Sequence, residues 1–300
     1  MADLKIGLVG LDTSHVVAFA KCLNKPDDAE HVPGARVTSA FAGGSKDFHL
    51  SADRVEKFTQ HIRDDFGAAI LDKPEAVAEA VDLLFITAVD GRTHLDYVRK
   101  TISHRRPTFI DKPFAVNSAD AREMFKLAEQ HDTAMMSCSS LRYAEALQAA
   151  LGDESLGKIV GADVFGPMAI EPTQGGLFWY GIHSVEIVNR VMGAGCREVR
   201  AVTTDTHDVV TATWPNGRVA SIHGLRKAHG KFGVTIHREK GVQTVDCAAG
   251  KRSWYASLLK AILRTLPHGK SDINPSDTLE IIRFIESANE SRPGGNPVRL

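Results

Sequence analysis

Along residues 1–140, apolar positions gather in short unbroken runs set between amphipathic stretches. The runs at 4–10 (LKIGLVG), 35–42 (ARVTSAFA), 68–71 and 81–88 (VDLLFITA) read as buried strands, as does Phe109-Ile110-Asp111-Lys112-Pro113. Pro113 cannot donate a ladder hydrogen bond, so the last of these strands must stop there. The spacing predicts helices over 16–23, 51–58, 74–80, 93–103 and 118–130. Ala121, Phe125 and Ala128 share one face of the last. Asp12, Thr13 and Ser14 are N-cap types before the first helix, Ser51 is a candidate cap for the second, and Pro74 suits a first turn. Strands alternating with helices of this length imply a doubly wound parallel sheet of Rossmann type, covered on both faces.

The pattern then changes. Alternating strands are predicted at 159–165, 199–204, 209–214, 219–225, 233–237 and 242–247. Pro215-Asn216-Gly217 and Glu239-Lys240-Gly241 join two pairs as antiparallel hairpins. Helices at 143–151, 184–192, 254–266 and 277–288 complete an α+β domain with a mostly antiparallel, open-faced sheet. The expected division is 1–140 for the Rossmann-like domain and 141–300 for the second.

Charge removes some classes of partner. Across 300 residues, Lys plus Arg number 36 and Asp plus Glu 37, a formal net charge of −1. That balance leaves no electrostatic footprint for nucleic acid or an anionic membrane. No apolar run approaches the roughly 18 residues of a membrane span. The chain enters a strand almost at once, without a signal peptide, and its four cysteines (Cys22, Cys138, Cys196, Cys247) are scattered. A cytoplasmic protein with free thiols is expected. His223, His229 and His237 lie in or between predicted strands; His223 and His237 could face one another, but no ligand spacing supports a metal.

Candidate chemistry starts at Lys112. At the carboxyl end of a parallel strand it stands where open α/β sheets hold ligands, and burial there would let it exchange protons near neutrality. The alternative is a lysine that ends a strand and reaches into water. The first strand should lead into a G-x-G-x-x-G phosphate loop, but in register the positions read Gly10, Asp12 and His15. Asp12 brings a negative charge to the pyrophosphate position unless it turns inward. Thr13, Ser14 and His15 are partial replacements as donors. The competing reading is an N-capped helix that binds no phosphate. After the second strand, Ser45 and Lys46 suit a 2′-phosphate, which leans the cofactor towards NADP over NAD.

Over essentially its full length the sequence resembles the glucose–fructose oxidoreductase and inositol dehydrogenase family, Gfo/Idh/MocA. Asp111-Lys112-Pro113 matches the family's Glu-Lys-Pro motif. The strand 83–88 with Asp90 and His94 looks like the fourth strand and the loop over the nicotinamide ribose. Leu141-Arg142-Tyr143 looks like the arginine-aromatic pair opening the substrate domain, and 175–183 (GGLFWYGIH) like the glycine-rich stretch before the catalytic histidine. The resemblance implies an NAD(P)-dependent oxidoreductase that moves hydride between a nicotinamide and a small hydroxylated, sugar- or polyol-like substrate. Lys112 and His183 would handle the hydroxyl proton. Gly10, Asp12, Thr13, Ser14, His15, Ser45, Lys46, Ala88, His94 and Asp111 fall to the cofactor, and Arg142, Tyr143, Trp179 and Tyr180 to the substrate.

The sequence departs from the family's pattern in the phosphate loop and at Trp179, where family dehydrogenases usually carry an aspartate; Tyr180, Glu171 and Asp163 are candidates to replace it. Each residue also has a plainer reading. His183 can be a hydrogen-bonded helix-start residue, Arg142 the partner of a buried acid, Trp179 and Tyr180 core or dimer aromatics, and His94 structural. The alternative function is a non-redox homologue that binds a metabolite or serves as a partner subunit. A homodimer or homotetramer through the second domain is expected, because an open sheet face needs cover.

Overall fold

The computed structural model describes residues 3–227 and 230–300, so the reading of His229 lies outside the described residues. The chain forms two compact units, neither continuous in sequence. The first takes the described residues up to 115, then 119–138 and 255–275; the second takes 116–118, 139–254 and 276–300.

The first unit runs β1 (Leu4–Val9), α1 (Ser14–Asn24), β2 (Ala35–Phe41), α2 (His49–Asp64), β3 (Ala69–Ile70), α3 (Pro74–Ala80), β4 (Leu83–Ile86), α4 (His94–Thr101), β5 (Thr108–Ile110), α5 (Ser118–Gln130) and β6 (Met135–Ser137). All six strands are parallel, in the order β3-β2-β1-β4-β5-β6. Ile6, Leu8, Val9, Phe85, Ile86, Phe109 and Ile110 are fully buried, as a sheet covered on both faces requires. Phe19 of α1 meets Phe85 and Phe109 edge-on. The strand order reverses between β1 and β4, which makes their carboxyl ends the ligand-binding crevice of such a sheet. The helix expected over 51–58 runs on to Asp64, and two further details differ from the sequence reading. β6 was not anticipated, because three residues directly after a helix give no period to read. Ser51 is not the cap of its helix: α2 starts at His49 after Phe48, and no side chain caps it.

The second unit holds α6 (Glu145–Gly152), β7 (Ile159–Pro167), α7 (Gly181–Met192), β8 (Glu198–Thr203), β9 (His207–Thr213), β10 (Val219–Leu225), β11 (Gly233–Arg238) and β12 (Gly241–Asp246). After α8 (Trp254–Thr265) come α9 (Pro275–Ser291) and β13 (Val298–Arg299). The sheet order is β12-β11-β7-β10-β9-β8-β13, antiparallel except for the parallel pair β7 and β10. Both predicted hairpins form, β9–β10 and β11–β12. α7 lies against β7 and β10. Val202, Val219, Val242 and Phe165 remain exposed on the strands. The register puts His237 opposite Gly161 and His223 opposite Phe165, so these two histidines do not face one another. His223 sits instead beside the His207 ring.

A cut at 140/141 follows the change in pattern, whereas contacts return 255–275 to the first unit. Tyr255 carries that return, with its ring packed on Phe19 and His15.

Candidate active site

Several residues shape the crevice at the ends of β1 and β4. Gly10 has φ +94°, and a Cβ there would lie 2.5 Å from the Ala88 backbone, so only glycine fits. Asp12 is fully buried. One of its carboxylate oxygens accepts the Val89 N–H (2.9 Å) and the other the Ser51 hydroxyl (2.6 Å), while Ser51 Oγ accepts the Ser45 N–H (2.7 Å). The acid at the second glycine position therefore turns inward and joins the segments that follow β1, β2 and β4. Burial pushes the Asp12 carboxyl above its ordinary range, against the pull of Ser51 and Val89. Thr13 caps α1 through its hydroxyl, which accepts the His15 N–H, and Ser14 is exposed at the first position of the helix.

His94 is committed to the scaffold. It is fully buried, with Nε2 2.8 Å from the Ala88 carbonyl and Nδ1 3.1 Å from the Phe114 carbonyl. Both ring nitrogens therefore have main-chain carbonyl partners. Nearby, Arg92 bridges the segments after β2 and β4, pairing with Asp47 and with buried Asp90. The two carboxylates push the guanidinium above its ordinary value. Ser45 is half-buried and Lys46 exposed.

Lys112 follows β5 by two residues and is 8% exposed. Burial pushes its ammonium below the usual lysine value, and the Asp111 charge opposes part of that shift. Asp111 Oδ1 accepts the Lys112 N–H (2.8 Å), and Oδ2 lies 2.5 Å from His15 Nδ1. Burial alone would raise the Asp111 carboxyl; His15 and Lys112 outweigh it and hold the group below the usual carboxylate range.

In the second unit, His183 lies in the first turn of α7, with Nδ1 2.7 Å from Ser139 Oγ. Its ring lies between those of Tyr180 (5.6 Å) and Phe232 (5.3 Å), and Trp179 packs against Tyr180. Trp179 is buried and Tyr143 half-buried. The Arg142 guanidinium pairs with buried Glu186 (2.9 Å) and reaches Asn189 (3.2 Å). Burial pushes the Glu186 carboxyl up against the pull of Arg142. Neither acid offered in place of the missing aspartate is at liberty. Glu171 caps its own turn through Thr173, and Asp163 binds Ser221 and His237 on the sheet.

Sequence reasoning missed Ser139, and it saw Ser51 only as a cap. Both act through partners distant in sequence, which spacing does not reveal. Among the described residues no three His, Cys, Asp or Glu side chains gather as a metal site would need. No helix among the described residues is long and apolar enough to cross a membrane.

Residues 6–138 match the Gfo/Idh/MocA oxidoreductase family, described by its NAD-binding Rossmann fold. Several solved structures are similar over the whole chain. The myo-inositol dehydrogenase of Lactobacillus casei, in complex with NAD(H) and myo-inositol, is 13% identical with a TM-score of 0.77, covering 100% of this chain and 97% of that one. The Corynebacterium glutamicum ATCC 13032 myo-inositol dehydrogenase is 14% identical with a TM-score of 0.80, covering 100% and 99%. The Lactobacillus plantarum myo-inositol 2-dehydrogenase is 14% identical with a TM-score of 0.82, covering 100% of each chain. At such identities the likeness shows a shared fold. No curated protein matches by sequence.

Proposed function

The chain belongs, through residues 6–138, to this oxidoreductase family with its NAD-binding Rossmann fold, and we propose that it is an NAD-dependent dehydrogenase of a small polyol- or sugar-like substrate. The observation that carries the proposal is Lys112: a buried lysine with a lowered proton affinity, just past the carboxyl end of a central parallel strand.

The residues around β1 fit a dinucleotide once Asp12 is turned away. Gly10 lets the backbone come close, and Thr13, Ser14 and the amino end of α1 are donors suited to a pyrophosphate. The bound nicotinamide would supply the hydride-accepting carbon. Lys112 would hold a proton at the substrate oxygen and steady negative charge there. His183, oriented by Ser139, would be the base that the family's chemistry asks for on the second unit.

For the cofactor, Ser45 and Lys46 lean towards NADP, but Asp47 and Asp90 flank Arg92 and leave that corner with no net positive charge for a 2′-phosphate. NAD should bind at least about tenfold tighter than NADP, a difference of roughly 1.4 kcal/mol. Titration of tryptophan fluorescence with each cofactor measures it; no binding of either at millimolar concentration would overturn the proposal. Trp179, where a carboxylate is usual, and His15, where a glycine is usual, favour a non-redox homologue. NAD binding without turnover on any of a panel of polyols would select that reading.

A homo-oligomer through the second unit belongs to the same proposal. Val202, Val219, Val242 and Phe165 are large apolar side chains left exposed on its sheet. Light scattering at micromolar concentration should give a dimer or tetramer, and Val219→Lys with Val242→Lys should return it to monomer. A wild-type monomer would refute this part.

A further inference from the structure

Two departures from the dehydrogenase pattern, far apart in sequence, meet in space. His15 stands at the third glycine position of the phosphate loop, and Asp111 stands where the family motif carries glutamate. The aspartate is shorter by one methylene, and a side chain reaches it from a position where the pattern has none. His15 Nδ1 lies 2.5 Å from Asp111 Oδ2.

The contact is built rather than incidental. The His15 ring is packed between Phe19 (6.1 Å) from its own helix and Tyr255 (5.1 Å) from α8, which restricts its rotamers. Asp111 is anchored at both oxygens, one by His15 and the other by the main-chain N–H of Lys112. Among the described residues, the ionisable groups facing this cluster are Asp111 from the end of β5, Tyr255 from α8 and Lys112 itself.

We propose that His15 is a positioning residue for Lys112, acting through Asp111: it holds the carboxylate in place and shares its charge, and so sets the proton affinity of the lysine. The inference rests on the reading of Lys112 as the proton-handling group. It also gives the divergent phosphate loop a role in the chemistry, since its third position reaches the catalytic strand.

The test needs neither cofactor nor substrate, so it stands apart from failure of the proposed activity. Acetic anhydride labels only neutral lysine, and peptide mass spectrometry across a pH series gives the midpoint for Lys112. With His15→Ala, Asp111 is left to Lys112 alone, and the midpoint should rise by about one unit. With Asp111→Asn it should fall. Adding His15→Ala to Asp111→Asn should then change nothing more. Should His15→Ala unfold by circular dichroism, His15→Asn keeps a donor of smaller reach that cannot span to Asp111, and the same rise is expected. An unchanged midpoint in a folded His15 variant, or an equal shift in the Asp111→Asn background, overturns the proposal.

Discussion

Replacing Lys112 with methionine should lower kcat by about a thousandfold while raising the melting temperature at neutral pH. Loss of a general acid–base group costs about 10²–10⁴ in rate, and methionine keeps the length without the charge. The stability gain follows from linkage. A lysine whose proton affinity is lower folded than unfolded contributes stability that is fully present above its unfolded pKa of about 10.4 and is lost as pH falls through the folded value. Burial places Lys112 in that class, so at neutral pH its ammonium weakens the fold. The advantage of the variant should be largest near pH 7 and shrink towards pH 10, read by thermal melts in a pH series. A variant that melts lower than wild type at pH 7 while losing activity would mark Lys112 as a structural ion-pair partner instead.

Arg142→Ala should be the most damaging single change to stability. It leaves the Glu186 carboxylate buried without its counter-charge, and breaking a buried pair from one side costs about 3–5 kcal/mol. Urea denaturation should show the midpoint fall with little change in slope. Replacing both partners, Arg142→Leu with Glu186→Leu, should recover most of the loss, because no lone charge remains. Equal losses for the single and double variants would show that Arg142 works through other contacts.

Much of the architecture was legible because parallel strands buried on both faces leave runs such as LKIGLVG and LLFI, and because hairpins leave Pro-Asn-Gly at the turn. The site was legible in its residue types more than in its wiring. The sequence allows Asp12 to turn inward but does not name its partners, Ser51 and the Val89 N–H, because they lie on other segments. His94 and Arg142 look like functional residues by type, and the partners they find, two carbonyls and an acid, are brought near only by the fold. Local pattern carries period and turn chemistry; it does not carry which long-range partner a polar side chain finds.

The return of Tyr255 to the first unit bears on synthesis. Phe19 and His15 leave the ribosome long before the aromatic ring that packs against both, which comes from α8. Domains usually complete in the order in which they are translated. Here the first unit stays open along one helix until residues 255–275 have emerged, after residues 139–254 of the second. A nascent chain stalled before residue 254 should expose that seam to chaperones, and a fragment cut at 140 would keep it exposed for good.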